Sequence, residues 1–141
     1  MKQVHLHNTF NLCNNKSDPR ISIQTGLTEV CSPRHENVGL LAYSPLCGGL
    51  LTGKYRDPVA SKTARMNLFE GYMTRYKQSL AQEAVEQYCE IAKKHNMTPT
   101  ELTLGWVYNQ EHVASTIIGA TTLTQLRENL GNICSHNTLS I

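Results

Sequence analysis

Val113-Ala-Ser-Thr-Ile-Ile-Gly-Ala-Thr-Thr-Leu-Thr-Gln-Leu-Arg-Glu-Asn129 reads as a strand, a tight Gly-Ala turn and a freshly capped helix. The β-branched run from Ser115 to Ile118 stops at Gly119. Thr122 followed three residues later by Gln125 has the form of a capping box, so the helix is expected to begin directly after the strand. Its first-turn amides then point at whatever sits above the strand end, and the helix dipole favours negative charge there. A phosphate is the natural guest.

The same grammar extends upstream. Thr98-Pro-Thr-Glu101 opens a helix with proline in its first turn and Glu101 closing the cap. Leu102, Leu104, Trp106 and Val107 give that helix a broad apolar surface, with Trp106 expected in the core. Ser79-Leu-Ala-Gln82 is a further capping box, and Leu80, Ala84, Val85, Tyr88, Ile91 and Ala92 recur at helical spacing to about His95. Gly39-Leu-Leu-Ala-Tyr43 is almost wholly apolar, as a parallel strand covered on both faces should be. Ser44-Pro-Leu-Cys-Gly-Gly49 after it is loop: Pro45 restricts Ser44, and the paired glycines let backbone approach closely. Leu50 to Lys77 is irregular and long enough to suggest a functional lid.

A length of 141 residues with 40% hydrophobic content suits one soluble domain. The net charge of +2 comes without a basic block, which argues against a nucleic-acid partner. No apolar run approaches the roughly 20 residues that span a bilayer, and no signal-peptide core is present, so no membrane partner is expected. Five cysteines without a CxxC pair suit a reducing compartment and free thiols. His5-Leu-His7 lacks a third ligand of suitable spacing, and no metal site is expected.

The stretches Leu40-Leu-Ala-Tyr-Ser-Pro-Leu-Cys-Gly-Gly-Leu-Leu-Thr-Gly-Lys-Tyr55 and Val113 to Asn129, in this order and joined by two helices, resemble the C-terminal half of an aldo-keto reductase. The branch that includes potassium-channel beta subunits and their bacterial and plant relatives is the most similar. The resemblance implies an α/β fold, a (β/α)8 TIM barrel, of which about the last three βα units are represented. A whole barrel takes about 250 residues. The expected organisation is a divergent segment over 1–20, the barrel part over 21–133 and a tail over 134–141. The resemblance places Ile21-Ser-Ile-Gln24 as the sixth barrel strand and Gly39 to Tyr43 as the seventh. The family's connection after the sixth strand, rich in Asn, Tyr and Leu, is about a dozen residues shorter here.

The resemblance also implies an NADP(H) site at the C-terminal ends of the strands. Gln24 would face the nicotinamide amide group and Tyr43 would stack on the ring. Ser44, Pro45, Leu46, Cys47 and Gly48 would line the path of the pyrophosphate, with thiol chemistry conceivable at Cys47. Lys54 and Arg65 would approach the phosphates. Gly119 allows close approach, and Thr121 offers a hydroxyl and an amide to the adenosine phosphate. Gln125 stands where many relatives place an arginine against the 2′-phosphate, so the preference for NADP over NAD rests on the resemblance. Glu128 and Asn129 match the adenine-binding pair. Carbonyl reduction in the family needs a tyrosine acid tuned by a lysine, with a supporting aspartate and histidine, and no residue here matches those four.

The implied function is that of an NADP(H)-dependent oxidoreductase reducing a small-molecule carbonyl, present as a cofactor-binding part without its catalytic tetrad. Two alternatives stand beside it: a non-catalytic association module like the channel subunits, and a product that does not fold stably. Exposed strand edges would favour self-association. The expected compartment is the cytoplasm, with the plastid as alternative.

Overall fold

The computed structural model describes residues 3–7, 29–59, 62–72, 74–76 and 79–134. Its centre is the strand β2 (Gly39–Tyr43), in which Leu40 and Ala42 are buried. β2 pairs in parallel on both edges, with β1 (Gln3–His7) on one side and β3 (Val113–Ile117) on the other. Both edges of β2 are thereby filled. The place beside it that was expected for Ile21–Gln24, residues outside those described, belongs to Gln3–His7. The registers His7↔Tyr43 and Tyr43↔Ile117 bring the C-terminal ends of all three strands abreast. A register shift beside Leu40 and Leu41 passes over Ala114.

Three helices follow the sequence signals, and a single helical turn falls in the stretch read as irregular. That turn is α1 (Arg65–Leu68), and the helices are α2 (Ser79–Lys94), α3 (Pro99–Tyr108) and α4 (Leu123–Cys134). The α3 cap has both halves of the expected box. The Glu101 amide donates to Thr98 Oγ1 at 3.1 Å, and the Thr98 amide donates to Glu101 Oε2 at 2.6 Å. α3 buries Thr100, Thr103, Leu104 and Val107, which at spacings of 3, 4 and 7 form one stripe. Trp106 lies off that stripe and is 43% exposed, so the indole expected in the core sits at the surface instead.

One polar atom inside this stripe is unsatisfied. Thr103 Oγ1 donates to the Pro99 carbonyl at 2.8 Å, whereas Thr100 Oγ1 is buried with no partner among the described residues. A buried hydroxyl that has left water without finding a partner costs about 1 to 3 kcal/mol. Thr100→Val keeps the shape and removes the cost. We expect this variant to be more stable by about 1 kcal/mol in urea unfolding; equal or lower stability would show that the hydroxyl is satisfied in solution.

Of the stretch from Leu50 to Lys77, expected as a lid, Leu50, Leu51, Ala64, Met66 and Tyr76 are buried, while Arg56 to Val59 and Asn67 to Gly71 are exposed. Short 3-10 turns at Cys47–Thr52, Lys54–Arg56 and Thr74–Tyr76 alternate with α1. Cys47, Leu50, Leu51, Met66 and Tyr76 form a core cluster with Ala81, Val85 and Cys89 of α2. Apolar side chains recur sparsely through this irregular stretch, and packing against α2 collects some of them on one side. Cys31, Cys47 and Cys89 are buried and form no disulfide among the described residues. Among the described residues no helix is long and apolar enough to cross a membrane.

Candidate functional site

β2 delivers Tyr43 to the rim of the sheet, where its side chain is 49% exposed. The chain then doubles back through four left-handed residues: Ser44 (φ 56°), Cys47 (φ 50°), Gly48 (φ 68°) and Gly49 (φ 90°). For residues with a Cβ that region is disfavoured by about 1 to 2 kcal/mol, so Ser44 and Cys47 are held there by their surroundings. Pro45 is buried and Cys47 is fully enclosed, which supplies the constraint. The Cys47 amide donates to the Ser44 carbonyl at 3.0 Å, and the Gly49 amide donates to the Leu46 carbonyl at 2.8 Å. Leu46 (φ −92°, ψ 10°) followed by left-handed Cys47 is a backbone sequence that turns neighbouring N–H groups toward one side, as in anion-binding concavities.

A cation lies on this loop. The Lys54 chain runs back over Gly49, close enough that a Cβ built on the glycine would stand 2.5 Å from Nζ and 2.6 Å from Cε. The ammonium is 5.2 Å from the centre of the Tyr55 ring, and the Arg65 guanidinium is 5.9 Å from that of Tyr72. Burial, and then the charge of Arg65, push the Lys54 pKa below the usual lysine value, with Tyr72 acting weakly the other way. Among the described residues neither cation has a carboxylate partner. Two cations held near one another without an anion form a region of positive potential beside the loop amides.

Tyr55 was not singled out from the sequence, yet it fastens this arrangement. Its hydroxyl donates to the Gly48 carbonyl at 3.5 Å and accepts from the Met66 amide at 3.3 Å, tying the loop to α1 and so to Arg65. The only sequence signal was its place at the end of the Thr52-Gly-Lys-Tyr55 run.

The turn between β3 and α4 stands at the same end of the sheet, because Ile117 is level with Tyr43. Space above Gly119 is open: an added Cβ would meet nothing within 4 Å. The α4 cap departs from the expected box by one residue. The Gln125 amide donates to Thr122 Oγ1 at 3.2 Å as expected, but Gln125 Oε1 reaches back to Thr121, accepting from its amide at 2.9 Å and its hydroxyl at 3.0 Å. The Gln125 carbonyl is thus engaged internally, which leaves its NH2 end as the part able to meet a ligand. Asn129 is 2% exposed and donates from Nδ2 to the Gly119 carbonyl at 3.3 Å, clamping the turn, while Glu128 is exposed.

The structure therefore gathers Tyr43 to Gly48, Lys54 and Arg65 into one group, and Gly119, Thr121, Gln125 and Asn129 into a second at the same sheet end. Gln24 lies outside the described residues.

Comparison with known proteins matches the aldo/keto reductase family over residues 1–140, a span that includes β1. The chain is 40% identical to an aldo-keto reductase of Babesia bovis over 142 aligned positions, covering 98% of this chain and 46% of that protein. It is 40% identical to the Tas protein of Escherichia coli over 130 positions, 92% of this chain and 35% of that one. A probable voltage-gated potassium channel subunit beta of Arabidopsis thaliana is 31% identical over 99 positions, 68% of this chain and 30% of that one. The chain thus spans less than half the length of these relatives. The match over residues 1–140, with these relatives, shows that the chain belongs to the aldo/keto reductase family.

Proposed function

We propose that this chain is the cofactor-binding part of an NADP(H)-dependent aldo-keto reductase, a partial (β/α)8 barrel in which β1, β2 and β3 stand as the last three strands. The observation that carries the reading is the Lys54 ammonium lying over Gly49 beside Arg65, with Tyr43 exposed at the adjoining strand end. That combination fits a dinucleotide: cations for the pyrophosphate, and a flat aromatic face for a planar ring. When bound, the reduced nicotinamide supplies a hydride to a carbonyl carbon. Ser44 to Gly48 line the path of the pyrophosphate, Lys54 and Arg65 neutralise phosphate charge, and Tyr55 fixes the distance between them. Gln125, through its NH2 end, and Glu128 serve the adenosine end, while Thr121, whose amide and hydroxyl both donate to Gln125 Oε1, and Asn129, which holds Gly119, shape the turn beside it. His7, level with Tyr43 on β1, takes the strand-end position that the resemblance had given to Gln24.

The barrel part accordingly begins at β1 rather than at Ile21, and no residue of this chain supplies the family's proton-donating tetrad. Reduction of a small carbonyl compound therefore requires the rest of a barrel. A second reading, an NADP-binding association module, draws on the likeness to the Arabidopsis channel subunit, but that likeness is weaker than those to the reductases.

The test is a thermal melt followed by circular dichroism, with and without excess NADPH. A ligand that binds only the folded chain raises the midpoint, by an amount corresponding to about 2.7 kcal/mol at a hundredfold excess over Kd. We expect a cooperative transition that shifts upward. A cooperative melt indifferent to NADPH would overturn the cofactor reading, and a melt without cooperativity would replace it by a chain that does not fold alone.

A further inference from the structure

An amine can do more than neutralise charge. Once it has shed its proton, its lone pair attacks a carbonyl carbon, and two conditions favour that free amine: removal from water and a second cation nearby. Lys54 meets both. Its chain lies back over Gly49 and is half-buried, and its pKa is lowered by burial first and by the charge of Arg65 second, with Tyr72 acting the other way. Among the described residues it has no carboxylate partner that would hold the proton in place. Lys62, Lys93 and Lys94, by contrast, stand exposed at the surface.

Arg65 adds a phosphate anchor to the amine. The hydroxyl of Tyr55, the residue after Lys54, accepts from the amide of Met66, the residue after Arg65, at 3.3 Å. That bond ties together the two backbone segments that carry the cations. The Arg65 side chain is exposed, its guanidinium lies 5.9 Å from the centre of the Tyr72 ring, and it too has no carboxylate partner among the described residues. A planar guanidinium takes phosphate bidentately. The pair thus offers one group to a phosphate and another to an electrophile, both within reach of solvent. A small molecule with a phosphate at one end and an aldehyde at the other matches both at once.

We propose that Lys54 and Arg65 form a covalent capture site for phosphorylated aldehydes, in which Arg65 holds the phosphate while Lys54 Nζ condenses with the carbonyl carbon. The Nζ lone pair makes the C–N bond, and the carbonyl π pair moves to oxygen, which takes up a proton. The resulting carbinolamine expels that oxygen as water, with a proton lost from nitrogen, and a C=N bond remains. Condensation changes no oxidation state overall, so it needs neither oxidant nor reductant. Because the cofactor reading above sets the same two cations against a pyrophosphate, capture excludes NADPH, a consequence that rests on that reading.

The experiment incubates the chain with pyridoxal 5′-phosphate, traps the imine with borohydride and follows each modified lysine by peptide mass spectrometry over time. The expected result is modification of Lys54 at least about tenfold faster than of Lys62, Lys93 or Lys94. Comparable rates at all four, which an unfolded chain would also give, would overturn the proposal. Pyridoxal, which lacks the phosphate, separates the roles of the two cations. In Arg65→Gln the Lys54 rate with the phosphorylated aldehyde, divided by that with pyridoxal, should fall about tenfold. The ratio is insensitive to any change in the basicity of the amine, since both aldehydes meet the same Nζ. An unchanged ratio would overturn the phosphate anchor and with it the proposal. Excess NADPH should slow the modification of Lys54 and leave Lys62 unaffected. Selective, Arg65-dependent modification that NADPH does not slow would sustain the capture site and sink the cofactor reading.

Discussion

Truncating Leu104 to alanine should destabilise the chain by about 3 kcal/mol and lower its unfolding midpoint by about 10 °C. Leu104 is completely enclosed on α3, and α3 is the element that touches α2, α4, β3 and the Cys47–Thr52 turn alike. Removing three carbons there loses their transfer free energy and opens a cavity where several elements meet and cannot all close in. Trp106→Ala, a larger truncation two residues away, should cost well under half as much, because the indole is 43% exposed. Urea unfolding of both variants checks the ordering, and Leu104→Val, at about 1 kcal/mol, keeps the comparison measurable if the alanine variant does not fold. Equal costs for Leu104 and Trp106 would mean that α3 packs with a different face inward.

Gly49→Ala should weaken NADPH binding about tenfold or more while costing about 1 to 2 kcal/mol of stability. The stability loss follows from φ 90°, where a Cβ is strained. The loss of binding follows from position, since the new methyl group would occupy the place of the Lys54 ammonium and push it off the loop. Lys54→Met should show the same loss of binding without the backbone strain. The double variant should bind no worse than either single one, because both remove one interaction. A fluorescence titration of NADPH against the three variants decides it; additive losses would separate Lys54 from the loop and overturn the arrangement.

Lys54 also sets a direction with pH. Its folded pKa lies below that of an unfolded lysine, so holding the proton in the folded chain carries a penalty that is relieved as pH rises through the folded value. Stability attributable to this group therefore rises with alkaline pH. Phosphate binding falls over the same interval, earlier than an ordinary lysine would allow.

Signals confined to a few consecutive residues were readable in the chain itself. Thr98 and Glu101 close a full capping box, and the β-branched run before Gly119 forms β3 with α4 directly behind it, because the groups that bond are covalent near neighbours. The one-residue displacement of the second cap, with Gln125 turned back to Thr121, shows how little energy separates neighbouring local arrangements. The glycine loop and Lys54 were legible as a site only through their likeness to a family, since a Gly-Gly-Leu-Leu-Thr-Gly-Lys run carries no local instruction for where the ammonium rests.

Gln3-Val-His-Leu-His7 shows where that legibility stops. Five residues with alternating polar and apolar side chains hold no strand by themselves, and pairing with the free edge of β2 decides the matter. Tyr55 meets Gly48 and Met66 across 7 and 11 residues, and Met66 and Tyr76 of the irregular stretch before α2 join the core only by packing on that helix. The sequence by itself determined the helix starts, the apolar strand β2 and the strand-turn-helix at the end of the sheet, whose causes are short-range. The tertiary structure alone decided which segment flanks β2, which face of α3 is buried and where Lys54 lies, because each depends on contacts between residues far apart in the chain.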